Sequence, residues 1–159
     1  MTLLLDSNAF LTPALTYYAF DICGSYWSWI AHAAATGDVK SISPVKRELR
    51  QKDDQIRNWI DMHGSNIFMP DDAAITNTMA QVATWASSNG YTPAAVAEFL
   101  GKADSYLVAY AMLGGHQIVT LEVGAPAAKS KIKIPDAANA HGISTITPYQ
   151  MLRQHGVSF

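Results

Sequence analysis

Leu3, Leu4 and Leu5 form an unbroken apolar run that stops at the polar triplet Asp6-Ser7-Asn8. This is the pattern of a strand buried on both faces and ending in a polar loop. Tyr26 to Ala35 is apolar on most sides and built from good helix formers, with Gly37 where such a helix would stop. Val39 to Ile42 reads as a second strand, and Ser43-Pro44 as the cap and first position of a helix that carries Val45, Glu48 and Leu49. Another helix is predicted after Asp53 and Asp54, with Ile56, Trp59, Ile60 and Met62 on its apolar side. Ile67 to Met69 is a short third strand. Asp71 to Gly90 is helical by the recurrence of Ile75, Met79, Val82 and Trp85, and Thr92-Pro93 opens a short helix through Leu100. The strongest helical pattern is Ala103 to Leu113, closed by Gly114 and Gly115; Ile118 to Leu121 is the next strand, ending at Glu122. A loop follows, then a helix over Asp136 to His141 and a last strand near Ile143 to Ile146. Strands alternating with helices predict an α/β fold, a three-layer α/β/α domain with a central, mostly parallel sheet. No linker or repeat divides residues 1–159, so a single domain is expected.

Composition agrees with one sizeable core: 159 residues, 49% hydrophobic and 15% charged. The single cysteine, Cys23, has no partner for an intramolecular disulfide, which suits a reducing compartment. No stretch approaches the roughly 20 apolar residues of a membrane span, and the leucine run before Asp6 is far too short for a signal-peptide core. A cytoplasmic protein with no membrane association is the expectation. The net charge of −2 excludes the basic footprint of a protein that coats nucleic acid, so any such contact must be local.

The candidate chemistry lies in carboxylates. In a parallel sheet, ligands collect at the carboxyl ends of the strands, where Asp6 and Glu122 fall. Each acid also has a bland reading. Asp6 could cap the next helix, Asp104 could cap the helix it opens, and Glu48 beside Lys46, Arg47 and Arg50 could be a solvated charge. Together, however, they sit on four separate βα elements whose polar ends could converge, as hard oxygen-liganded Mg²⁺ or Mn²⁺ sites are assembled. Like charges so gathered persist when cations neutralise them. Such cations lower the pKa of bound water and stabilise charge on a phosphate.

Other chemistries fit less well. Gly124 to Ser130 lacks the glycine before Lys129 that a phosphate-binding loop needs, since Ala128 stands there. Asn8 occupies the place of the second aspartate of an aspartyl-phosphatase, and no serine-nucleophile elbow, dinucleotide fingerprint or zinc-ligand spacing is present. Lys129, Lys131 and Lys133 are either a solvated run or a local contact to RNA phosphates. The aromatics Tyr17, Tyr18, Phe20, Tyr26, Trp27 and Trp29 read mainly as core packing, with a stacking or partner surface as the alternative.

Four ordered segments carry a resemblance: Leu3-Leu4-Leu5-Asp6-Ser7-Asn8-Ala9-Phe10, Glu48 after Ser43-Pro44-Val45, Ala103 to Ala111 around Asp104, and Ile118 to Glu122. They resemble the motifs of PIN domains. Tyr17 to Asp21 and Lys133 to Asp136 add a likeness to a PIN-like family of unknown function, and the likeness spans nearly the whole chain. It implies a parallel-sheet fold, nuclease activity and, as in many bacterial PIN domains, the toxin role of a toxin–antitoxin pair. Carried across, it makes Asp6, Glu48, Asp104 and Glu122 the ligands of Mg²⁺ or Mn²⁺, with Ser7, Asn8 and Thr120 supporting them. Glu122 departs from the pattern, because many PIN toxins have Asp there. The implied function is a metal-dependent endoribonuclease acting on RNA, with a cognate antitoxin and a homodimer as expected partners. The alternative is a non-catalytic PIN-like RNA- or protein-binding module.

Overall fold

The computed structural model describes all residues, 1–159. In chain order the elements are β1 (Leu3–Leu5), α1 (Asn8–Leu15), α2 (Gly24–Thr36), β2 (Val39–Ile42), α3 (Ser43–Lys52), α4 (Asp54–His63) and β3 (Phe68–Met69). They continue with α5 (Thr76–Ser87), α6 (Pro93–Leu100), α7 (Ala103–Gly114), β4 (Gln117–Val119), α8 (Ile134–Ala140), β5 (Thr145–Ile146) and α9 (Pro148–Gln154). The five strands form one sheet in the order β3-β2-β1-β4-β5, and every pairing is parallel. β1 is central, with Leu3 opposite Val39 on one side and Gln117 on the other. Its three leucines are buried on both faces, which is why it reads as a continuous apolar run.

The chain winds outward from β1 to β3, then returns to the other side of β1 with β4 and β5. The order therefore reverses between β1 and β4, and a crevice opens beyond their carboxyl ends. Helices that follow parallel strands run antiparallel to them, so their N-termini gather at that same end of the sheet. One cluster of 36 buried hydrophobic residues fills the layers, with Trp27, Tyr26 and Phe10 among the largest side chains fully enclosed. Gly37, at φ 88°, provides the left-handed turn that ends α2 and lets β2 start two residues later.

Some elements differ from the sequence reading. The polar triplet after β1 does not open into a loop; α1 starts at once and contains Pro13. A proline inside a helix leaves the carbonyl four residues back without its amide. Here that carbonyl belongs to Ala9, and the buried Tyr26 hydroxyl donates to it at 3.2 Å, so the helix survives. α9 was also not predicted, though Thr147 and Gln150 close a reciprocal capping box at its start. α5 begins at Thr76 after a short 3-10 turn, α8 begins at Ile134 rather than Asp136, and Met62 is exposed rather than on the apolar face of α4. Asp53 caps α4 by accepting from the Ile56 amide at 2.9 Å. The early aromatics divide: Tyr26 and Trp27 are core, stacked against Tyr18 and Phe20, whereas Tyr17 is 74% exposed. No helix is long and apolar enough to cross a membrane.

Candidate active site

Asp6 is the first residue beyond β1, and it is buried because β4 runs alongside: the Asp6 amide donates to Val119 at 3.0 Å. Its carboxylate accepts from the Ser7 amide at 2.6 Å and from the Thr120 hydroxyl at 2.9 Å. Thr120 stands at the equivalent place after β4. Its hydroxyl oxygen also accepts from the Glu122 amide at 3.1 Å and the Asn8 side-chain amide at 3.4 Å, while the Asn8 carbonyl oxygen accepts from the Leu121 amide at 3.0 Å. Ser7, Asn8 and Thr120 thus bind the ends of β1 and β4 into one polar lattice around Asp6.

Glu48 arrives from α3. One carboxylate oxygen accepts from the Ser7 hydroxyl at 2.8 Å and the other from the Ala103 amide at 3.0 Å, the first amide of α7. The capping role considered for Asp104 therefore belongs to Glu48, reaching over from another helix. Asp104 is the second residue of α7, where the helix dipole favours its charge but its side chain caps nothing. Glu122 lies in the loop after β4, and its carboxylate accepts from the Ile134 amide at 2.7 Å, the first amide of α8.

All four acids line one cleft of about 160 Å³, together with Ser7, Asn8, Leu11, Lys52, Lys102 and Lys131. Burial pushes the Asp6 carboxyl from 3.8 up to about 7, reinforced by the charges of Asp104 and Glu122 and opposed by the Thr120 and Ser7 hydrogen bonds. Burial likewise raises Asp104 to about 6, reinforced by Glu122 and Glu48 and opposed by Lys102 and Lys131. Two carboxylates raised by burial and by neighbouring acids in one cleft mark a candidate functional site. A larger groove of about 470 Å³ along α5, lined by Ala80, Gln81, Thr84, Trp85 and Ser88, offers no ionisable group.

The donor set fits a hard divalent cation: it is all oxygen, negatively charged, and held at a helix-rich end of the sheet where cations would relieve the repulsion. It is not a finished coordination sphere, for no three acidic or imidazole side chains are arranged around a common point. Glu48 and Glu122 turn their oxygens to helix amides instead. Two cleft residues, Lys52 and Lys102, escaped the sequence reading. Their signals were present, since Lys52 lies one turn beyond Glu48 on α3 and Lys102 directly precedes the Ala103-Asp104 motif. Of the three lysines considered for RNA contact, Lys131 lines the cleft. Lys129 instead sits over the Tyr91 ring at 4.6 Å, and Lys133 is the N-cap residue of α8. His141 and His155 bond carbonyls of their own helices and take no part in the site.

Fold and cleft define a class of protein, the three-layer α/β/α domains with a parallel sheet and an acid-lined crevice at the strand ends. A chain of VapBC2 from Rickettsia felis, solved with a DNA fragment from its promoter, is similar with a TM-score of 0.58 at 15% identity, over 92% of this chain and 98% of that one. A chain of FitAB, solved with the IR36 DNA fragment, is similar with a TM-score of 0.54 at 16% identity, over 93% and 96%. These likenesses establish the fold. The chain itself belongs to the family described as Domain of unknown function (DUF4411), whose model matches residues 3–159. None of the curated proteins matches it in sequence.

Proposed function

We propose that this protein is a Mg²⁺- or Mn²⁺-dependent endoribonuclease, the toxin of a toxin–antitoxin pair. The observation that carries the reading is the convergence of Asp6, Glu48, Asp104 and Glu122 from four elements on one cleft at the β1–β4 reversal, where the Asp104 charge helps to raise Asp6 and the Glu122 and Glu48 charges help to raise Asp104. Asp104 would hold the cation most directly, because it is engaged by no backbone amide, and Asp6, fixed by the Ser7 amide and the Thr120 hydroxyl, would share it. Glu48 and Glu122 would complete the set by turning from the amides of Ala103 and Ile134. When bound, a divalent cation lowers the pKa of a water and neutralises charge on the phosphate. The protein's own part is positional. Thr120 and the Ser7 amide fix the Asp6 carboxylate, and Lys102 and Lys131 offset the acid charge. Hydrolysis adds water across the phosphodiester, breaking one P–O bond, and needs no nucleophile from the chain.

The partner proposal is an antitoxin protein or a second copy of this chain. It is supported by the exposed apolar side chains of Leu15, Tyr17 and Ile22 between α1 and α2, and by the two-component complexes VapBC2 and FitAB among similar structures.

The test is incubation of the purified protein with total cellular RNA and Mn²⁺, followed by mapping of the new ends. Cleavage that is lost in chelator and lost in Asp6→Asn, with that variant still folded, is the expected result. Full cleavage in chelator, or by Asp6→Asn, would refute the reading. The second reading, a non-catalytic RNA- or protein-binding module, is favoured by the commitment of Glu48 and Glu122 to helix amides. It predicts no rise in melting temperature with Mn²⁺, whereas a ligand of the folded state must stabilise it.

A further inference from the structure

The cleft presents a contradiction for a polyanionic substrate. Four acids line it, and the chain as a whole is at −2, so RNA phosphates brought to the scissile position meet a negative wall. Three lysines interrupt that wall, each from a different place in the chain: Lys52 on the last turn of α3, Lys102 just before α7, and Lys131 in the loop before α8. They are not equivalent. Lys102 is tied to Glu98 one turn along, at 2.7 Å, and is thereby fixed as a standing positive charge beside Asp104. Lys52 and Lys131 have no acidic partner, although Arg47, Arg50 and Arg57 elsewhere on the surface are paired with Asp71, Asp61 and Asp54. Both residues are exposed and line the cleft, which places them at its solvent rim.

We infer that Lys52 and Lys131 are the phosphate grips of the cleft: each holds a backbone phosphate next to the scissile one, so that the site takes RNA by its backbone. This rests on the ribonuclease reading above and deepens it. A lysine ammonium contacts a phosphate as a point charge without base preference, so the grips set affinity and register and leave sequence choice to other surfaces.

The experiment measures binding of a short labelled single-stranded oligoribonucleotide to the full chain in chelator across a salt series, alongside cleavage kinetics in Mn²⁺. Each phosphate contact contributes about 0.7 to the slope of log affinity against log salt for a single strand. Lys52→Gln and Lys131→Gln should each lower that slope by about 0.7, and the double variant by about twice that. Each should raise KM while changing kcat far less, and arginine at either position should restore the slope. Lys46→Gln, on α3 but away from the cleft, should match wild type. Wild-type slopes and KM in both lysine variants, in a protein that still cleaves RNA, would overturn the inference and leave the ribonuclease reading standing. A wild-type chain that neither binds nor cleaves the oligoribonucleotide would overturn both.

Discussion

Thr120 is the residue on which the Asp6 carboxylate depends, because one hydroxyl donates to it while receiving the Asn8 and Glu122 groups. Thr120→Val keeps the shape and removes the oxygen. We expect a loss of about 1–3 kcal/mol in stability from the unpaired buried groups, together with a further rise of the Asp6 pKa and weaker Mn²⁺ stabilisation, read by thermal melting with and without the cation. Asp104 behaves differently, since its carboxylate holds no part of the fold together. Asp104→Ser should melt at or above the wild-type temperature in chelator, having lost the repulsion from Glu122 and Glu48. Its cleavage in Mn²⁺ should fall on the order of 100-fold or more. Equal cleavage rates for the two proteins would remove Asp104 from the site. At this scale the sequence displayed the acids and their spacing but not their hydrogen-bond partners. Nothing in the order Ser43-Pro44-Val45 tells that Glu48 caps α7, because the amide it reaches is 55 positions away.

Among the elements, α3, α7 and α8 owe their placement to carboxylates that reach across to helix amides. Glu48→Ala leaves the Ala103 amide and the Ser7 hydroxyl without acceptors, a cost of about 1–3 kcal/mol, while Glu48→Gln retains an oxygen for one of them. Denaturant melts of the pair should therefore separate, with Gln close to wild type in chelator. Glu122→Ala should act more locally, loosening α8 as seen by faster hydrogen exchange at Ile134. β1, β2, α7 and the central helices were legible because their apolar periodicity is strong. α1 was hidden by Pro13, which reads as a helix breaker unless one knows that Tyr26, from the next helix, satisfies the Ala9 carbonyl. α9 was hidden by its shortness, whereas the last strand was legible near Ile143 to Ile146, of which Thr145 and Ile146 pair with β4.

For the whole molecule, the acid cleft makes stability depend on pH in an unusual direction. In the folded chain Asp6 keeps its proton until about 7 and Asp104 until about 6, whereas both release it near 3.8 when unfolded. Between those values the folded state binds more protons, so stability falls as pH rises through that window. Melting temperatures in chelator should decline from mildly acidic to neutral pH, less steeply in Asp6→Asn; Mn²⁺ should raise them most at the upper end, where it no longer competes with protons. A flat profile in chelator would mean that the two carboxyls are less shielded from water than the cleft implies. The parallel sheet has one further consequence. Asp6 and the Thr120 that orients it are 114 positions apart, and β1 gains its β4 neighbour only when the chain has reached Val119. On a ribosome adding 5–20 residues each second, that interval lasts on the order of ten seconds. Through all of it the nascent chain carries Asp6 at the end of a strand without its second neighbour, so under the ribonuclease proposal the cleft is assembled only after β4 and Thr120 have been made.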